Sequence, residues 1–475
     1  MSKLFVFAIG GTGSRVLRAV TMLMAAGLKI KASRIIPVII DPDSGNCDLT
    51  RTIDCLNDYK FINESLSKDG ESKGFFSSPV ENIFSKYDFR MDFRGVDGRL
   101  FKEYIDYAGL DKNNKAFAEL LFSDYHLDLN MDVGFKGNPN LGSIVLDQFS
   151  ENDDFKKFAL NYSQGDRIFI ISSIHGGTGA AGFPLLLKNI LNPGDELPNK
   201  ELIKESVKGA ITVLPYFKLQ AGEINSSDFT SKTRAALEYY YENVNPGLNS
   251  LYYIGYKDHT KSYENNPGGV NQKNPAHFVE LAAALSLFDF MEQKDEDIKP
   301  GGNRFLEFGA DISEERITFD ELDDSIKKYV RKPLSKFAFF SKYLDLQIEK
   351  SITGQPWGMR GSEKTRIGKE FLDTDYYKRI KIFNKHFKNW MSELSANSPA
   401  FTPFNLKANE ENLTYMINKR PVEKKPYGKD NFVLFDDHLN ECERQDKVSK
   451  KPANLKFTNL FHNATDRFVT KNFKI

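Results

Sequence analysis

The chain has 475 residues, enough for two or three domains with proper cores. Basic and acidic residues balance at 65 each, so no global charge directs it to nucleic acid or to an anionic membrane. The three cysteines, Cys47, Cys55 and Cys442, form no metal-ligand spacing and no disulfide framework, and the seven histidines include no HxxxH or HExxH pair. No apolar run approaches a membrane span, and the N-terminus enters a strand directly, which reads as a soluble, cytoplasmic protein.

Residues 4–9 are a continuous apolar run, as in a strand buried on both faces. Gly10, Gly11, Thr12, Gly13 and Ser14 follow as a turn, and residues 15–27 carry a helical apolar pattern. A second strand, residues 35–40, ends in Asp41-Pro42-Asp43. Acidic residues there are placed to meet a ribose in a nucleotide fold or, equally, to cap a turn. Residues 47–130 read as helical elaboration without evident chemistry. The loop 134–143, with Gly137 and Asn138, is punctuated by glycine and leads into a helix near 144–149. Alone, it is a solvated turn as readily as a binding loop.

Residues 167–187, RIFIISSIHGGTGAAGFPLLL, repeat the opening design. A buried-type strand at 168–171 leads into Gly176, Gly177, Thr178 and Gly179, then into an Ala/Leu-rich helix with Pro184 expected in its first turn. Strand, glycine turn and helix N-terminus together make an anion site: backbone without Cβ atoms comes close, free N–H groups point outward, and the helix dipole adds to the attraction. Thr178 adds a hydroxyl donor. Without a ligand the same pattern is a tight strand-to-helix turn.

Further core strands are expected at 209–216 and 251–254, with a helix at 231–241 between them. Asn274-Pro275-Ala276-His277 opens a long helix from Phe278 to Met291, apolar almost all round and therefore central. Charged residues 292–299 and Pro300-Gly301-Gly302 mark a boundary, giving units 1–292 and 293–475. The second unit is mainly helical over 320–395 and ends in a Lys-rich, weakly patterned tail that reads as a solvated face. The fold class is α/β: a Rossmann-like, mostly parallel sheet with helices on both faces, plus a largely helical C-terminal region.

No glycine loop carries the lysine of GxxxxGK[ST], and Gly10-Gly11-Thr12-Gly13 lacks the third glycine of a dinucleotide fingerprint. The order of the loops instead resembles the GTP-binding domain of the tubulin/FtsZ superfamily, over residues 1–292. His175 to Gly182 is similar to that family's GGGTGTG signature, Gly10 to Ser14 to its first phosphate loop, and Gly134 to Gly142 to its GxGAGxNPxxG loop. Pro215-Tyr216-Phe217 is similar to the strand end before its ribose loop, and the helix after Pro275 to its central helix. The likeness is greatest to divergent bacterial tubulin-like proteins, some of them in multi-gene conflict or defence cassettes.

The resemblance implies GTP/GDP as ligand, with Mg²⁺ as its companion, and head-to-tail self-association into filaments. It places Gly10 to Ser14, Gly137, Asn138 and Gly176 to Gly179 on the phosphates, with Asp41 and Asp43 nearby. Tyr256, Lys257 and Asp258 stand where the guanine-reading asparagine is expected, which leaves Asn274, His277 and Phe278 to face the base, Phe278 by stacking or, equally, as a core residue. The family's hydrolytic NxDxxD-like loop has no match among Asp311, Glu314, Glu315, Asp320 and Glu321, so no catalytic residue is assigned. A nucleotide-bound scaffold or switch without hydrolysis, its C-terminal helices docking a protein partner, is the second reading. An NAD(P)-dependent oxidoreductase is the third.

Overall fold

The computed structural model describes residues 2–68, 74–131, 134–220, 228–256, 262–264, 268–300, 316–362, 365–409, 412–419, 422, 431–445 and 451–475, with backbone only at 219 and 228–230. The expected Lys257, Asp258, Asp311, Glu314 and Glu315 lie outside these residues. Five strands form one sheet: β1 (Lys3–Ile9), β2 (Arg34–Ile40), β3 (Arg167–Ser173), β4 (Val207–Val213) and β5 (Ser250–Ile254). They run in the order β2-β1-β3-β4-β5, every pair parallel. Their near-continuous Ile/Val/Phe runs fit strands covered on both sides.

On the face carrying Leu4, Val6 and Ala8 lie α1 (Gly10–Ala25), α2 (Cys47–Lys68) and a later helix, Phe278–Glu292. On the face carrying Phe5, Phe7 and Ile9 lie α3 (Pro139–Leu146), α4 (Asp153–Asn161), α5 (Thr178–Leu191) and α6 (Asp228–Asn243). The helix Phe278–Glu292, here α7, is buried almost all round, as its unbroken apolar surface requires.

The C-terminal region adds α8 (Asp324–Leu346), α9 (Asp375–Ala396), α10 (Asn431–Gln445) and α11 (Ala453–Phe473). Of these, α8, α9 and α11 pack over α1, α2 and α7 while α10 packs on α11, so one apolar core runs from Leu4 to Phe473 across the expected boundary at 292. Phe75 and Phe76 join the halves: Phe75 stacks on Phe340 at 5.2 Å, and Phe76 meets Phe383 edge-on at 5.0 Å.

Several local expectations change. The glycines after β1 are themselves the first turn of α1, which begins at Gly10 rather than at residue 15. Pro184 lies inside α5 rather than in its first turn, because Thr178 already begins that helix. The weakly patterned tail contains α11, whose Phe457, Phe461 and Phe468 are buried in the common core. Lys456 within it is fully buried, with its ammonium donating to the Arg360 carbonyl at 2.8 Å. Among the described residues no helix is long and apolar enough to cross a membrane.

Candidate functional site

The strand order reverses direction between β1 and β3, and ligands of open parallel sheets bind beyond the strand C-termini at such a switch point. A cavity of about 140 Å³ lies there. Its wall includes Gly10, Gly11, Thr12, Asp41, Asp43, Gly137, Gly176, Gly177, Thr178, Gly179 and Asn274. Three glycine loops far apart in the chain therefore meet.

The loops touch through positions where a side chain has no room. A Cβ on Gly10 would lie 3.3 Å from the Thr178 Cβ, and one on Gly177 would lie 2.6 Å from the Phe135 Cβ. A Cβ on Gly142 would lie 2.9 Å from the Gly177 carbonyl oxygen. Gly10 and Gly176 have φ of +71° and +93°, a region that glycine enters without strain.

Of the helices that begin near this cavity, two that follow glycine turns have open ends. Neither α1 nor α5 receives a side-chain cap, and neither has an acidic residue in its first turn. Their first N–H groups and positive dipole ends are thus available to an anion. By contrast α3 is closed by Asn138, whose side-chain oxygen accepts from the Asn140 and Leu141 amides.

Of the remaining expected residues only Asn274 reaches the wall. Gly13 packs behind the turn, against β1 and β3, and Ser14 is fully buried. Phe278 lies in the core against Phe401, ring centres 5.3 Å apart, rather than facing the cavity. His277 is buried at the start of α7, its Nδ1 accepting from the Val279 amide and its Nε2 lying 3.0 Å from the Ser398 carbonyl. Asn274 reaches the wall, but its amide donates to Asp48 at 2.9 Å. Glu321 accepts from the Thr318 amide at 2.7 Å and pairs with Lys419 at 2.5 Å; neither it nor Asp320 lines the cavity.

The cavity also has a cation that the motif reading omitted. Arg15 lines it, one turn into α1, and is otherwise buried. Its Nε donates to Glu280 at 2.6 Å, its Nη1 to Asp48 at 3.1 Å, and its Nη2 to the Tyr216 hydroxyl at 2.6 Å. Burial opposes the charge, yet Tyr216, Glu280 and Asp48 outweigh it and hold the guanidinium well above its usual pKa. Asp48 also binds Arg51 at 2.6 Å, and Glu393 on α9 binds both Arg51 (2.6 Å) and Arg18 (2.8 Å). Three arginines and three carboxylates thus form one network from the cavity wall to the C-terminal helices.

Two more wall groups titrate away from their usual ranges. Burial, with Arg15 nearby, lowers the His175 imidazole to about 4, so it is neutral at physiological pH. Burial and the adjacent Asp43 carboxylate raise Asp41 from 3.8 to about 7, against the opposing pull of Arg90 and hydrogen bonds from the Asp43 amide and Asn46. The folded state therefore keeps a proton that the unfolded chain releases. Stability is expected to fall as pH rises from about 4 to about 7 and to level off above, the sign for a raised carboxyl pKa. Asp41→Asn should remove that slope; urea unfolding at pH 5 and pH 8 measures it.

A signal for Arg15 stood in the sequence: Arg15 and Arg18 interrupt an otherwise apolar helix pattern. Asn46, Lys136, Phe217, Glu264 and Gln272 also line the cavity. Lys136 and Phe217 belong to stretches the motif reading had marked, whereas Asn46, Glu264 and Gln272 come from separate loops with no motif.

No protein-family model and no curated protein matches the chain. Solved structures similar to it include CetZ2 from Haloferax volcanii as a GTPγS-bound protofilament, at 12% identity and TM-score 0.30, covering 62% of this chain and 61% of that one. CetZ1 from the same organism, a GDP-bound monomer, gives 13% identity, TM-score 0.28 and coverage of 53% and 51%. A GTPγS-form protofilament of TubZ from Bacillus thuringiensis serovar israelensis gives 12% and 0.28, with 82% of each chain covered. The chain spans 61%, 46% and 51% of the lengths of the three CetZ chains it matches. Overlap this low carries no weight for function, which rests on the cavity itself. The solved structures to which the chain is similar are proteins of the tubulin/FtsZ family.

Proposed function

We propose that the chain is a divergent tubulin-like protein that binds a guanine nucleotide, its phosphates lying on the three glycine loops. One observation carries the reading: the uncapped N-termini of α1 and α5 converge with loop 134–137 on one cavity at the switch point. At about 140 Å³ the enclosed part is below the roughly 300–1,000 Å³ of sites that envelop a whole ligand. It suits a phosphate chain, leaving sugar and base in the mouth beside Phe217 and Glu264. Guanine rests on the motif order, since Phe278 and His277 are engaged in the core.

Asp41 and Asp43 beside a phosphate cradle fit a divalent cation shared with the ligand, because Mg²⁺ is commonly held by one or two carboxylates plus substrate phosphates. When bound, the ion would neutralise phosphate charge next to these carboxylates. Without it, nucleotide affinity is expected to fall as pH rises through about 7, when Asp41 ionises. Head-to-tail self-association belongs to the same reading, and a neighbouring subunit would complete the site for hydrolysis.

Calorimetric titration of the purified chain with GTP, GDP, ATP and NAD, with and without Mg²⁺, tests the reading. It expects one GTP or GDP per chain, tighter than ATP or NAD. Preference for NAD, or no nucleotide bound, would reject it.

A further inference from the structure

The segment 268–274, between β5 and α7, supplies Gln272 and Asn274 to the cavity wall and is tied down at several points. The Gly269 amide donates to Asp43 at 2.7 Å, the Gln272 carbonyl accepts from the Asp48 amide at 3.1 Å, and the Asn274 amide donates to Asp48 at 3.1 Å. Within this strap the direction of one side-chain amide follows by deduction. Asn46 precedes α2, and its Oδ1 accepts from the Asp48 amide at 2.9 Å, so its Nδ2 end must face the other way. That Nδ2 donates to the Gln272 Oε1 at 3.1 Å, which fixes Gln272 in turn. The Gln272 Nε2 therefore points at the first glycine loop, 3.0 Å from where a Cβ on Gly11 would stand. It lines the cavity as an oriented N–H donor with no acceptor among the described residues.

We infer that Gln272 is a ligand-positioning residue, donating from the strap to a phosphate oxygen seated on Gly11. The inference rests on the nucleotide reading above and adds to it a second, neutral donor wall opposite the backbone amides. It also gives Gly11 a reason to lack a side chain, since any Cβ would press on this amide. A neutral donor suits the place, because Arg15 is already engaged by Glu280, Asp48 and Tyr216.

Competition against a fluorescent GTP analogue, using GTP and guanosine as competitors, tests the inference on the wild-type chain, Gln272→Met and Gln272→Glu. Gln272→Glu keeps an acceptor for Asn46 but sets a negative charge over the phosphate seat. It should weaken GTP about a hundredfold while leaving guanosine unchanged. Gln272→Met removes the donor together with the acceptor for Asn46, and should weaken GTP about tenfold, again sparing guanosine. Retained GTP affinity in both variants, or equal losses for GTP and guanosine, would overturn the assignment. A variant that does not fold is replaced by the wild-type chain itself: its Gln272 side-chain amide resonance should shift on adding inorganic tripolyphosphate, and an unmoved resonance counts against the inference. Wild-type chain that takes up neither GTP nor tripolyphosphate would instead reject the nucleotide reading as a whole.

Discussion

Arg15→Met is expected to cost about 3–5 kcal/mol of stability, the range for removing one partner of a buried charge network. The substitution leaves Glu280, which is 2% exposed, with the Tyr216 hydroxyl and the His277 amide but no cation. Asp48 suffers less, because Arg51 and Asn274 still hold it. The two carboxylates are thus unequal, and a double variant exposes the difference. Arg15→Met with Glu280→Gln should recover part of the loss, since the stranded charge goes with its partner. Urea unfolding of the three proteins measures this. Equal stability of wild type and Arg15→Met would show that the network contributes nothing net.

Gly13→Val is expected to be nearly as damaging, by about 3 kcal/mol, the upper end of overpacking costs. A Cβ there would stand 2.9 Å from the Ala8 carbonyl carbon and 3.0 Å from the Ile171 carbonyl oxygen. Both are backbone atoms of neighbouring strands, so no side-chain rotation relieves the clash. The strands would part at the switch point, and the cradle built on it would open. Gly45→Ala provides the contrast: its nearest neighbour would be an ordinary 3.6 Å away, and stability should stay within about 0.5 kcal/mol. Thermal melts of the two variants decide the matter, and a Gly13→Val protein that melts like wild type contradicts the packing described.

What was legible in the sequence was local. β1 and β3 announce themselves as apolar runs ended by glycine, and α7 by its unbroken apolar surface. The loops at Gly11 and Gly177 reach one cavity because parallel strands present their C-terminal ends along one edge of the sheet; the loop at Gly137 follows no strand of the sheet and joins them by packing on Gly177. What was not legible depends on contacts over long separations. Asn46 and Gln272 meet across 226 positions, and no spacing rule encodes that pair. Phe278 suits base stacking by type, yet its position on α7 turns it towards Phe401. Asn138 sits in the expected loop but closes the N-terminus of α3. The tail's α11 was hidden because Thr, Asn, His, Asp and Arg separate Phe457, Phe461 and Phe468, whose helical spacing becomes informative only beside Phe340 and Phe435.

Amide hydrogen exchange with and without GTP tests the convergence of the loops most directly. Addition of GTP is expected to slow exchange together at residues 10–13, 134–137 and 176–179, at one common nucleotide concentration. Protection confined to one of these loops, with the other two exchanging as before, would contradict a shared phosphate seat.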